Sequence, residues 1–280
     1  MHFIGKDNIP FHCVVFPAML YGTKCGYVLP THVPANEFYN LEGRKFSTSQ
    51  GWYIPLEEFF ARYDADAARF YLLSSAPETA DSEWRWQDFQ ACVNASLADT
   101  IGNLATRVLR FLDKNFEGRI PPLDPNHAAA LDQQILGDCG AFADPADTIR
   151  EFRFRRAAEQ LVANASVANV FVDRTAPWAL RKTDPALAAS TLNTACEWLS
   201  WLARWMAPMM PNKAQELWRM LGQEGLVADQ RWPGIPAAGT WRSLRGGTKL
   251  GGVTGLFPKI DDAVIAAEVG ALERRADAPA

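Results

Sequence analysis

The pattern of apolar and polar positions changes character along the chain, and it is clearest from Phe89 onward. Val93, Leu97, Ile101, Leu104, Val108 and Phe111 recur every three or four residues, so one stripe of a long helix faces a core. Asn103, Arg107 and Arg110 fall at i, i+4 and i+7 and make a polar stripe beside it. Pro121, Pro122 and Pro125 end that arm. Further helices are predicted over 148–173, with Phe154, Ala158, Leu161, Ala165 and Val172 inward, over 185–206 and over 212–221, the last two separated by APMMP. Long amphipathic helices on short connections describe a bundle.

Upstream of Phe89 the pattern is mixed. HFIG, at 2–5, reads as a short buried strand ending on a glycine, and 9–20 as an apolar helix with Pro10 in its first turn. A second strand is predicted within 26–33, then a turn or hairpin around 38–43. Two or three strands and one helix are a piece of an α/β nucleotide-binding unit, since a doubly wound sheet needs helices on both faces. Residues 56–73 read as two short helices broken at 64–66, and 75–88 as an acidic connector in which Trp84 and Trp86 are packing residues. From Val227 the chain is Gly- and Pro-rich and reads as irregular surface chain with a last helix over 261–275, the ADAPA after Arg275 being disordered. The expected class is therefore mainly α: a partial Rossmann-like α/β segment (1–55), a connecting segment (56–88), an α-helical bundle (89–226) and an irregular tail with a short terminal helix (227–280).

Composition narrows the chemistry. The 280 residues are 48% hydrophobic and 21% charged, enough for a sizeable core and more than one domain. No apolar run approaches the roughly 20 residues of a membrane span, and MHFIGKDN lacks the basic start and apolar core of a signal peptide; a cytoplasmic protein with no membrane partner is expected. Cys13, Cys25, Cys92, Cys139 and Cys196 are odd in number, scattered and without a CxxC pair, which argues for free buried thiols and for no zinc site or other metal site. A net charge of −4 argues against nucleic-acid binding by bulk charge. Its distribution is uneven: 56–104 holds nine acids against three arginines, whereas 150–182 holds seven basic residues against three acids. The basic stretch is either a local RNA-binding surface or a plain solvated helix face.

Three groups of residues are candidates for function. LEGRKFSTSQG, at 41–51, places Lys45 with Ser47, Thr48 and Ser49 in a mobile basic loop, which can lie over a polyphosphate and stabilise developing charge; a polar surface loop has the same composition. Gly5, Lys6, Asp7 and Asn8 stand where a strand leads into a helix, a place where nucleotide oxygens bind, and His12 follows either as a ligand or as a core histidine. Trp178 follows Pro177 just after a helix and is either a surface platform or a core tryptophan.

Taken in order, GKDNIPFH, PAML, a Pro-bounded strand, LEGRKFSTS, DADAARFYLL, DSEWRWQDF, Asn103, the APW at 176–178 and LFPKI at 256–260 resemble the second half of methionyl-tRNA synthetases, which are class I aminoacyl-tRNA synthetases. The resemblance implies a methionine–tRNA ligase, with ATP as its magnesium complex, methionine and methionine tRNA as substrates. KFSTS resembles the family's KMSKS signature; Lys45 matches its first lysine, and Thr48 stands where the second would be. Lys45, Ser47, Thr48 and Ser49 are thereby implied as catalytic, and Gly5, Lys6, Asp7, Asn8 and His12 as ATP- and substrate-binding, His12 lining the methionine pocket. Asn103, Arg107 and Trp178 match anticodon-recognising positions, which makes the bundle an anticodon-binding domain, and LFPKI implies a tail that folds back to the catalytic body. The family's HIGH motif, first βα unit and metal knuckle have no counterpart here, so the chain is expected to be the C-terminal portion either of a longer product or of a split enzyme, whose separate N-terminal half would then be a partner, and to be inactive alone. A non-catalytic tRNA-binding paralogue, or an interaction protein that reuses the bundle, are the alternatives.

Overall fold

The structure, a computed structural model, describes residues 1–138 and 142–277; Cys139 and the final residues 278–280 lie outside them. Its centre is helix α10 (Pro185–Met206), in which Trp198, Leu199, Leu202 and Trp205 are wholly buried. Around it pack α5 (Asn103–Asn115), α8 (Phe154–Thr175), α9 (Pro177–Thr183) and α11 (Pro211–Met220). The mainly α expectation is borne out, and so is the apolar stripe: Val93, Leu97, Ile101, Leu104 and Val108 are buried, Phe111 partly. That stripe runs on one continuous helical rod made of α4 (Trp86–Ala91), a π-wound stretch Cys92–Gly102, and α5.

Three helices begin on an Asp-Pro pair. Pro125, Pro145 and Pro185 open α6 (Pro125–Gln133), α7 (Pro145–Arg150) and α10, where a missing N–H costs nothing. The aspartate before each caps the first turn: Asp124 accepts from the Asn126 N–H, Asp144 from that of Ala146 and Asp184 from that of Leu187, all at 2.9 Å. Pro125 therefore starts a helix instead of closing the arm, which ends at Asn115 before the left-handed Glu117 and Gly118. The helix expected over 148–173 is two, α7 and α8, broken where Phe152 takes φ 61°.

The first 84 residues carry two small parallel strand pairs. β1 (Ile4–Gly5) pairs with β2 (Ala35–Asn36), and β3 (Tyr39–Leu41) with β4 (Ser82–Trp84). Two expectations fail here. β1 is only partly buried, and 26–33 forms no strand, because β1 takes up 35–36 instead and leaves that run without a pairing edge. The helical run after β1 consists of a 3₁₀ turn Lys6–Asn8, a π turn Phe11–Val15 and α1 (Phe16–Gly22), and none of its residues is buried. Cys13 and Cys25 on this segment are exposed, against the expectation of buried thiols; Cys196 is buried and Cys92 partly so.

Two short helices, α2 (Leu56–Arg62) and α3 (Ala65–Ser74), stand where expected, with Asp64 capping the second. Trp84 and Trp86 are buried in an aromatic cluster with Phe59, Tyr63, Tyr71 and Phe89, and their indole N–H groups have no polar partner among the described residues. The tail is irregular but not superficial: Trp241, Leu250, Leu256 and Phe257 are buried. Two carboxylates pin it, Glu197 accepting from the Ser243 hydroxyl and the Leu244 N–H, and Asp132 from the Trp241 indole and Arg242. The last helix, α12 (Asp262–Ala276), packs on α4, and its buried Glu268 accepts from the Tyr63 hydroxyl at 2.8 Å and pairs with Arg62 at 2.7 Å.

Candidate functional site

Trp178 is delivered by a one-residue joint. Ala176, at φ 40°, both ends α8 and precedes α9, so the chain turns sharply, buries Pro177 and leaves Trp178 38% exposed. The reading of Trp178 as a core residue is thereby excluded. The Arg107 guanidinium lies 4.9 Å from the centre of its ring, within cation–π range. Asp173, in the last turn of α8, accepts from Arg107 at 2.6 Å and fixes that arginine over the ring. Asn103 stands exposed one turn before Arg107 on α5. The structure thus brings Asn103, Arg107 and Trp178 to one face, with planar stacking surfaces beside an amide that can both donate and accept. Asp173 is the member that sequence reasoning missed, because in the sequence it is one acid among basic neighbours.

The KFSTS segment is a tight hairpin. Ser47 and Trp52 exchange backbone hydrogen bonds, both 2.9 Å, while the Ser47 and Ser49 hydroxyls lie 3.2 Å apart. Its base is Trp52, buried, whose indole donates to the Leu41 carbonyl at 2.7 Å under the Arg44 guanidinium. Lys45, Thr48 and Ser49 remain exposed. The other support comes from the far end of the chain: a Cβ on Gly51, which has φ 67°, would sit 2.3 Å from the Arg275 carbonyl. Arg275 also donates to the Tyr53 carbonyl at 3.0 Å with its guanidinium over the Tyr53 ring. No spacing in the sequence announces this contact.

Lys6 and Lys45 share a neighbour. Their ammonium groups lie 4.3 Å and 5.5 Å from the centre of the Phe38 ring, so the Gly5–Asn8 turn and the KFSTS hairpin meet at that residue. Lys6 is engaged internally, hydrogen-bonding Glu37 and, at 3.2 Å, Asp81, and these two acids raise its pKa above 10.5. Asp7 and Asn8 are exposed, and a Cβ on Gly5 would crowd the Asp7 carboxylate. His12 is half-buried with its Nδ1 3.1 Å from that of His2, so it is no core histidine. Among the described residues, no group of three or more His, Cys, Asp or Glu side chains is placed to hold a metal ion, and no helix is long and apolar enough to cross a membrane.

Comparison with known proteins gives these groups a common frame. Residues 1–109 match the family model of class I tRNA synthetases (M), and residues 126–269 that of the anticodon-binding domain of methionyl tRNA ligase. Fold and sequence together place the chain in the class I aminoacyl-tRNA synthetase family. Among curated relatives, the methionine–tRNA ligase of Roseiflexus castenholzii is 37% identical over 98% of this chain and 49% of its own length, and that of Thermomicrobium roseum is 42% identical over 79% and 38%. Methionyl-tRNA synthetase of Mycobacterium tuberculosis, solved in complex with methionyl-adenylate, aligns with a TM-score of 0.75 at 30% identity, over 92% of this chain and 49% of that one. The chain belongs to the methionine–tRNA ligase family. It spans about half or less of the length of these relatives.

Proposed function

We propose that the chain is the C-terminal portion of a methionine–tRNA ligase, in which the bundle reads the methionine anticodon and the KFSTS hairpin serves adenylate formation. The observation that carries the reading is the exposed Trp178 with the Arg107 guanidinium held over it and Asn103 one turn away. Unpaired bases are read by stacking on aromatic faces and by hydrogen bonds to their edges. In the hairpin, Lys45 supplies positive charge to the phosphates of the magnesium–ATP substrate as pyrophosphate leaves, an electrostatic role that needs no covalent intermediate. Thr48 supplies a hydroxyl without charge. Lys6 contributes through its pairing with Glu37 and Asp81, which anchors the Gly5–Asn8 turn beside that hairpin. The uncovered apolar face of the 9–22 helical run is the surface that the remaining part of the ligase covers.

Trp178→Ala tests the reading directly. Stacking one base contributes roughly 1 to 3 kcal/mol, so binding of methionine tRNA is expected to weaken about tenfold to a hundredfold, with a smaller loss in melting than a wholly buried tryptophan would show, because the ring is partly exposed. Folded Trp178→Ala protein that still prefers the methionine anticodon as well as the parent would remove the assignment. The purified chain alone is expected to show no methionine-dependent exchange of pyrophosphate into ATP. In an enzyme completed with the N-terminal half, Lys45→Ala is expected to slow adenylate formation by about 10²-fold or more. The second reading, a tRNA-binding paralogue without ligase activity, is favoured by Thr48 in the second lysine's place, and it predicts no activity even after completion.

A further inference from the structure

We propose that the polar face of α5 beyond Arg107, together with the basic end of α9, is a track for the phosphate backbone of the RNA strand leaving the Trp178 platform. This rests on the anticodon reading above. Two contacts fix α9 alongside α5, Arg107 against Trp178 at 4.9 Å and the Arg181 guanidinium on the Asn115 side-chain carbonyl at 2.8 Å. Along that seam Asn103, Arg107, Arg110 and Lys114 fall at i, i+4, i+7 and i+11, so each successive cation stands about one turn, ~5.4 Å, further on. A row at that pitch can meet successive phosphates of a single strand.

The charges on this row are available. Arg110, Lys114 and Lys182 are exposed and have no ion-pair or hydrogen-bond partner among the described residues. Arg181 donates to a neutral amide, so its charge is uncompensated. Two of the acids nearby are engaged, and two stand toward the far end of the row. Asp173 is paired with Arg107, and Asp99, one turn before Asn103, is paired at 2.7 Å with Lys259 of the LFPKI segment. Asp113 faces the turn at Gly118, and Glu117 stands exposed past the helix end. A solvated helix face also carries cations, but this one runs from an aromatic platform at helical pitch, which is the combination used to hold single strands.

The experiment uses the 280-residue chain, methionine tRNA and an anticodon-swapped tRNA, titrated across a range of salt. Arg110→Ala/Lys114→Ala is expected to weaken binding of both tRNAs by the same factor, about tenfold or more. The slope of log K against log salt is expected to fall by about 1.4, about 0.7 for each single-strand phosphate that is no longer neutralised. Arg110→Lys/Lys114→Arg should restore the slope. An unchanged slope overturns the track, and so does a weakening confined to methionine tRNA, since that would make these residues base readers. A parent chain that shows no anticodon preference, but whose salt slope still falls in the double variant, would sink the anticodon reading and leave the track standing.

Discussion

Two helical stretches of similar apolar content meet opposite fates in this molecule. α10 is buried along nearly its whole length, whereas the helical run over 9–22 has no buried residue and exposes Phe11, Val14, Val15, Met19 and Tyr21. The difference lies in what arrives from elsewhere. α5, α8, α9 and α11 close around α10, while the N-terminal run is met by His2, whose ring lies against those of His12 and Phe16. Apolar composition makes a helix want cover, but only the rest of the fold can supply it.

The largest effect should come from the covered helix. Trp198→Ala removes a wholly buried indole that also donates to the Asn164 carbonyl, and a destabilisation of about 3 to 5 kcal/mol is expected in urea denaturation. Phe11→Ala, on the uncovered run, should stay within about 0.5 kcal/mol. Equal effects would mean that the N-terminal run is covered in solution, which would break the contrast.

Next in size is Gly51→Ala. The new methyl group would overlap the Arg275 carbonyl at a residue with φ 67°, and about 2 kcal/mol of destabilisation is expected. Because the strain falls where the tail meets the hairpin, trypsin should cut at Arg44 and Lys45 faster than in the parent. An unaltered cleavage rate would show that the tail does not hold the hairpin.

Asp173→Asn probes a finer difference. The Arg107–Asp173 pair is partly exposed, so stability should change by no more than about 1 kcal/mol. Discrimination between methionine and anticodon-swapped tRNA should nonetheless fall severalfold, as Arg107 loses its fixed position over Trp178. A change in melting without a change in discrimination would make Asp173 a purely structural residue.

The smallest effect concerns pH at the N-terminal attachment. The Phe38 N–H first, and Lys6 second, lower the pKa of Asp81 from 3.8, so the stabilisation Asp81 provides is present above that value and lost as pH falls through its lowered pKa. The raised pKa of Lys6 has the opposite sign: its contribution is present below 10.5 and lost as pH rises through the raised value. Amide exchange over 4–15 should therefore report constant protection at neutral pH and loosening at both extremes, the acid limb disappearing in Asp81→Asn.

The sequence was most legible where one helix face meets one core. The period through Val93, Leu97, Ile101, Leu104 and Val108 identified the α4–α5 rod, and α10 runs over 185–206 as its pattern predicts. Legibility failed at Pro125, where a proline looks like a breaker unless the capping aspartate before it is weighed, and at Phe152, whose left-handed turn splits one expected helix into two. Strand pairing was not legible, because Tyr39 meets Ser82 across a gap that no local propensity encodes, and 26–33 looked extended but found no partner. In the candidate site Asn103, Arg107 and Trp178 were visible as residues, but Asp173, Phe38 and Arg275 act only through contacts made in three dimensions.

The seat of Gly51 on Arg275 also sets an order of assembly during synthesis. Gly51 is made more than two hundred residues before the backbone that will lie beneath it. A nascent chain can complete its bundle, since segments fold as they emerge, while the KFSTS hairpin still lacks its floor. A product cut short before α12 would keep every signature residue and display the hairpin on its Trp52 base alone.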